Sequence, residues 1–315
     1  MAKVLLFCDP GIDDSLAIMY GLLNPTIEIV GIVPGYGNVT QEQATDNVAF
    51  LLQLAGKKDI PIIAGAKGPL TGEFTPYYPE IHGQNGLGPI QPPDTIKGEL
   101  LNFDEIFKLI ERYENDLYIV DVGRSTSLAI AFILGGNIMR KVKAFYIMGG
   151  AFLVPGNVTS EAEANFHGDP IASNLVVEKA HNLSIFPLNV TNHAILTPQI
   201  VDYIIQFPNN PYHDLIKPIF NYYFNSYKKN VPGIQGTPLH DVIALSAIVN
   251  PSVVHYIRRR VTVDLFGKSR GRSVADFRPK PEKQQPDTLD RIAISLNYKI
   301  FMEDFMKVMT QGTTS

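Results

Sequence analysis

The chain has 315 residues, with 27 Lys plus Arg against 31 Asp plus Glu, and is 45% hydrophobic and 18% charged. That balance excludes a disordered chain, and a formal charge of −4 with one short basic run (Arg258, Arg259, Arg260) argues against nucleic acid as a partner. A single cysteine, Cys8, rules out an internal disulfide, and no apolar run approaches the roughly 20 residues that span a bilayer. Met1-Ala2-Lys3 runs into only four apolar residues before Cys8 and Asp9, too few for a signal-peptide core, so the expectation is a cytoplasmic protein with no membrane partner.

In chain order, residues 3–8 read as a buried strand and 13–23 as a helix, with Leu16, Ala17, Met19, Tyr20 and Leu23 near the helical period. Residues 27–33 predict a second strand, 41–55 a second helix and 60–64 a third strand. After a Gly- and Pro-rich loop at 65–97 come a helix (103–113), a strand (117–122), a helix (127–134) and a strand (144–148). A helix at 169–180 and a strand at 183–188 continue the alternation. Beyond Thr197 helices dominate (199–206, 212–227, 241–249), followed by a β-branched run at 261–263, a turn at 268–272, a loop at 277–287 and a closing helix at 297–309. Strands alternating with helices imply crossover connections. The expected fold is therefore α/β: one domain over 1–315, a mainly parallel central sheet flanked by helices on both faces, and a more helical C-terminal part.

In such sheets ligands bind beyond the carboxyl ends of the strands. The first strand ends in Asp9-Pro10-Gly11-Ile12-Asp13-Asp14, three carboxylates at a tight turn into a helix. Acids at a helix start complement its dipole, but three together repel and favour a hard cation with oxygen ligands. His240-Asp241 opens an apolar helix, where Asp241 reads equally as a cap or a ligand and His240 as a proton donor. In Gly156 to Pro170, the amides of Asn157 and Asn165 and the carboxylate of Glu163 suit a sugar, whose hydroxyls both donate and accept. Asn157 alone reads as a turn residue, and Asp169-Pro170 as a helix cap. The sequence has no Walker loop, Gly-x-Gly-x-x-Gly fingerprint or Gly-x-Ser-x-Gly elbow. The residues alone reach an α/β enzyme with a carboxylate-held metal and sugar-like polar contacts.

Asp9 to Asp14, Gly37-Asn38-Val39-Thr40, Met148-Gly149-Gly150, Gly156 to Asn165 and His240-Asp241 occur in the order seen in the inosine-uridine-preferring nucleoside hydrolases, which the chain resembles over nearly its whole length. The resemblance implies calcium-dependent hydrolysis of the N-ribosidic bond of a ribonucleoside, releasing base and ribose. It implies calcium held by Asp9, Asp14, Asp241 and the backbone carbonyl of Thr126, with Asp9 also the general base. Asp13, Asn38, Asn157, Glu163 and Asn165 would hold the ribose, and His240, with His82, would face the leaving base. A homodimer or homotetramer is implied on the same ground.

The chain departs from the family pattern at several places. Phe7 stands where relatives often carry Asp, Gly123-Arg124-Ser125-Thr126-Ser127 replaces Gly-Pro-Leu-Thr-Asn, and Ala164 replaces an aromatic. There is no Trp to sandwich a purine. These departures motivate an alternative, a non-catalytic calcium-dependent nucleoside or ribose binder. A third reading is a hydrolase of a different riboside, such as a nucleotide or nicotinamide riboside; for a nucleotide, Arg124 is the candidate phosphate contact. Tyr223 and Tyr227, four apart on a helix, read as base stackers or as packing.

Overall fold

In β1 (Ala2–Cys8), Val4, Leu6 and Cys8 join an apolar core on one side of the sheet, while Leu5 and Phe7 join a core on the other. A strand covered on both faces has no polar face to show, which is why residues 3–8 read as an unbroken apolar run. The computed structural model describes residues 1–73, 76–279 and 289–311.

Among the described residues β1 lies in a nine-stranded sheet. Its other strands are β2 (Ile27–Pro34), β3 (Ile62–Ile63), β4 (Leu100–Leu101), β5 (Leu117–Asp121), β6 (Ala144–Met148), β7 (Leu183–Phe186), β10 (Val254–Arg259) and β13 (Asp290–Leu296). The spatial order is β10-β13-β7-β6-β5-β1-β2-β3-β4, parallel throughout except that β10 runs antiparallel to β13. Two short antiparallel pairs lie outside it: β8 (Ile195–Leu196) with β9 (Thr237–Pro238), and β11 (Val261–Val263) with β12 (Ser273–Ala275).

The helices in chain order are α1 (Ile12–Leu23), α2 (Gln41–Leu54), α3 (Pro79–His82), α4 (Glu105–Arg112), α5 (Thr126–Gly135), α6 (Ala164–Gly168), α7 (Pro170–Lys179), α8 (Leu188–Thr191), α9 (Pro198–Ile204), α10 (His213–Asn230), α11 (Val242–Val249) and α12 (Tyr298–Thr310). Residues of α1, α2 and α8 to α12 build the larger core, and residues of α4, α5 and α7 the one on the opposite face. None of the described helices is long and apolar enough to cross a membrane.

The mainly parallel sheet covered on both faces is the one the alternation predicts, and its differences have local causes. The strand expected over 60–64 is reduced to Ile62–Ile63, because Pro61 has no N–H to give the ladder. Pro187 likewise ends β7 at Phe186, and residues 188–191 turn into α8. The β10–β13 pair falls in two stretches, 254–259 and 290–296, to which the sequence pattern assigns no element; Arg258 and Arg259 lie in β10, and Arg260 follows it. Most of the proline-bearing loop expected at 277–287 lies outside the described residues.

Three helices carrying or supporting the site are tied together by Asp304 of α12, whose carboxylate accepts from Tyr20 of α1 and, at 2.9 Å, from Ser246 of α11. Those partners sit on the two helices whose first turns bring in Asp13, Asp14 and Asp241.

Candidate active site

The carboxyl ends of β1, β2, β5 and β6 open onto one cavity of about 750 Å³. Asp13, Asp14, Asn38, His82, Asn157, Glu163, Asn165, His240 and Asp241 all line it, although they come from segments spread over most of the sequence. Asp9 and Thr126 do not line it.

One carboxylate oxygen from each of Asp13, Asp14 and Asp241 lies within 4.8 Å of the other two, and all three residues are buried. Asp14 reaches back along the turn: its Oδ1 accepts the Asp9 N–H at 3.0 Å, and its Oδ2 accepts the Gly11 N–H at 3.2 Å and the Asn38 amide at 2.9 Å. Asp241 occupies the N-cap position of α11, yet its side chain makes no capping bond. Its carboxylate is part of the acidic pocket, so the cap reading fails for it. Asp169 does cap α7, accepting the Ala172 N–H at 3.1 Å ahead of Pro170.

Burial pushes Asp14 up to about 7, with Asp13 beside it adding to the shift. Asp241 is raised well above the carboxylate range by burial and then by Asp13, Asp14 and Asp9. Such a set of buried like charges is a poor structural device by itself and a good all-oxygen donor set for a hard cation. Asp13 Oδ1 and Asp9 Oδ1 are buried with no hydrogen-bond partner, as groups awaiting a ligand are.

Asp9 stands behind this group. Its Oδ2 accepts the Asn38 N–H at 2.7 Å, and glycines enclose it: a Cβ at Gly37 would overlap Oδ2, and one at Gly123 would come within 2.6 Å of Oδ1. Burial and Asp14 raise Asp9, while Arg124 and the Asn38 N–H act against them. The close acidic triad therefore contains Asp13 where the resemblance implies Asp9.

Thr126, whose backbone carbonyl the resemblance names, does not line the cavity. It opens α5 with its hydroxyl 2.8 Å from Asp169 Oδ2 and 3.0 Å from the Tyr36 hydroxyl. The residue from this loop that does line the cavity is Val122, whose carbonyl accepts from Asn165 Nδ2 at 2.8 Å. Next to it is Asp121, the register partner of Phe7 on the adjacent strand. Asp121 is raised to about 7 by burial, with the Ser125 hydroxyl and Gly123 N–H favouring its charged form. A buried carboxylate thus lies level with Phe7, one strand over.

On the sugar-like side, Glu163 caps α6, accepting the N–H groups of Asn165 (2.8 Å), Phe166 (3.1 Å) and Gly150 (2.9 Å). Burial raises it to about 7 against those three donors and Arg124. Asn157 Oδ1 accepts the Ala164 N–H at 2.9 Å, fixing the two sides of this wall to each other.

The two histidines also line the cavity. Ile12 N–H donates to His82 Nδ1 at 3.1 Å, so the ring proton is on Nε2, and Asp13 Oδ1 is 3.7 Å from Nδ1. His240 lies 2.7 Å from the Thr191 hydroxyl through Nδ1 and 2.9 Å from the Tyr227 hydroxyl through Nε2. Burial lowers His240 to about 4, so its imidazole is neutral at ordinary pH. Tyr223 donates to Asp13 Oδ2 at 3.2 Å and meets Tyr227 edge-on, ring centres 4.9 Å apart. Both tyrosines line the cavity. Sequence reasoning left them between stacking and packing, because a spacing of four on a helix is shared by both uses; their hydroxyl partners separate them from ordinary core.

Arg124, the candidate phosphate contact, does not line the cavity, and its Nη2 donates to the Pro76 carbonyl at 2.9 Å.

Comparison with known proteins places the whole chain. The family model described as inosine-uridine preferring nucleoside hydrolase matches residues 4–303. The inosine-uridine preferring nucleoside hydrolase of Crithidia fasciculata is 32% identical over 308 residues, covering 95% of this chain and 94% of its own. Uridine nucleosidase 1 of Arabidopsis thaliana is 32% identical over 278 residues, 87% of this chain and 82% of its own. Among solved structures, a purine-preferring ribonucleoside hydrolase from Gardnerella vaginalis superposes with a TM-score of 0.90 at 29% identity, covering 98% of both chains. With a family model matching almost the whole chain and relatives 32% identical over most of their length, the chain belongs to the inosine-uridine preferring nucleoside hydrolase family.

Proposed function

We propose that this chain hydrolyses the N-ribosidic bond of ribonucleosides of the inosine and uridine type and uses calcium to do so. The observation that carries the reading is the convergence on one cavity of a buried Asp13–Asp14–Asp241 pocket and a Tyr227–His240 pair. The all-oxygen pocket fits a hard divalent ion, with Asp13, Asp14, Asp241 and the Val122 carbonyl as the groups that would hold it and Asp9 adjoining. Bound there, calcium would supply a compact positive charge that offsets the carboxylates and draws hydroxyl and water oxygens.

The residues of the chain carry the rest. Asn157, Glu163 and Asn165 grip sugar hydroxyls on one wall, and Asn38, fixed between Asp9 and Asp14, completes the grip on the other. The general-base role falls to Asp9, which adjoins the acidic pocket without lining the open cavity and whose Oδ1 has no other partner. As the bond to the base breaks, the ribose gains oxocarbenium character, and the surrounding carboxylates stabilise its positive charge. The base leaves poorly as an anion, so a proton must reach it. A neutral His240 is a weak donor alone. The Tyr227 hydroxyl, hydrogen-bonded to His240 Nε2, gives its proton to the base; the negative charge left on the pair is quenched by the proton taken from water, and Thr191 fixes the far ring nitrogen.

This assignment predicts that His240→Gln and Tyr227→Phe each slow inosine hydrolysis by about 10²-fold or more, the scale of general acid catalysis. Loss should be much smaller on p-nitrophenyl riboside, whose leaving group needs no proton. Equal losses on both substrates would remove the pair from leaving-group protonation.

A further inference from the structure

Arg124 is a buried cation that this chemistry leaves unused. Its residue is 6% exposed. The guanidinium lies 5.0 Å over the ring of Tyr36, and its stem passes so close to Gly168 that a Cβ there would stand 2.5 Å from both Cδ and Nε. From this slot Nη2 donates to the carbonyl of Pro76, on the long excursion between β3 and β4. Pro76 and Tyr78 line the cavity, and the Tyr78 N–H donates at 3.3 Å to the carbonyl of Asn38, which itself fixes Asp9 and Asp14. The same excursion is tied before this point by Leu70 N–H to Asp169 at 2.7 Å, and after it by the Pro79 and Glu80 carbonyls to the Tyr222 and Ser226 hydroxyls. Arg124 therefore holds Pro76, just ahead of the Tyr78, Pro79 and Glu80 ties, where Pro76 and Tyr78 line the cavity.

We propose that Arg124 is a positioning residue that seats residues 76–78 as part of the sugar subsite. An arginine suits the slot because its plane stacks on Tyr36 while its fork is aimed at a carbonyl; a lysine keeps the charge and loses both the plane and the fork. Asp9 and Glu163 face this cation electrostatically, which offsets the cost of burying it. The proposal uses the nucleosidase reading only to choose the substrate.

Two variants test it. Arg124→Lys removes the fork, and Gly168→Ala pushes the stem aside while keeping the arginine. Each is expected to raise KM for inosine or uridine about 10-fold, as loss of one hydrogen bond from a charged donor would, with kcat little changed. In each, amide hydrogen exchange over residues 76–83 should quicken in the ligand-free protein. Unchanged exchange in both variants would overturn the tether, whatever the enzyme's substrate, because this readout needs no turnover. Faster exchange with an unchanged KM would overturn the link between the tether and the sugar subsite. A lower melting temperature with both readouts unchanged would reduce Arg124 to a packing residue.

Discussion

Asp9→Asn is expected to lower kcat for ribonucleoside hydrolysis by about 10²- to 10⁴-fold while the folded protein still binds nucleoside. The substitution is nearly isosteric, which matters here because the backbone at Gly37 and Gly123 packs against the carboxylate. Asparagine keeps an oxygen for the Asn38 N–H and loses only the basic Oδ1. The variant thus separates proton abstraction from architecture, whereas Asp9→Ala also strands the Asn38 N–H. Steady-state kinetics with a thermal melt as control decide the matter. An Asp9→Asn enzyme with near-normal kcat would show that the water's proton goes elsewhere.

The second large effect is on stability. Burial raises Asp9, Asp14 and Asp241 in the folded protein, Asp14 to about 7, from a reference value of 3.8. Metal-free protein therefore retains protons that the unfolded chain has already released. For groups shifted upward, the associated stability is fully present below about 4 and is lost as pH climbs through about 7. A divalent ion competes with those protons and replaces what they contributed. Chelator-treated protein is thus expected to melt at progressively lower temperature as pH rises across that interval. Calcium should raise the melting temperature more at the upper end than at the lower, by about 2.7 kcal/mol of stability when free calcium is 100 times its Kd. Asp241→Ala should abolish most of the calcium response. A calcium-independent melt at and above neutral pH would count against the carboxylate pocket as a metal site.

Much of this site was legible because parallel strands put their loops at one end. Asp13 and Asp14, Asn38, Glu163 with Asn165, and His240 with Asp241 follow strand ends or open helices, where side chains of this chemistry stand out against apolar runs. Which backbone of the loop after β5 meets the cavity was not legible: a carbonyl carries no residue signature, and Val122 lines the cavity whereas Thr126, the residue the resemblance names, does not. The partition among the aspartates was equally hidden, since it depends on how the first turn of α1 rotates Asp13 toward Asp241.

Asp121 escaped notice because its significance lies in its pairing with Phe7 across two strands more than a hundred residues apart in sequence. A shorter separation in sequence also concealed the β10–β13 pair, whose alignment is a tertiary matter rather than a local propensity. Tyr223 and Tyr227 show the opposite problem: their spacing was plain, but only the hydroxyl contacts to Asp13 and His240 give it a chemical meaning.

The most direct test is ribose release from inosine, uridine, cytidine, adenosine and guanosine, each with added calcium and with excess chelator. A calcium-dependent nucleoside hydrolase releases ribose from inosine and uridine, loses that activity in chelator and regains it when calcium is restored. Calcium-dependent nucleoside binding without ribose release, or release that chelator leaves untouched, would contradict the account.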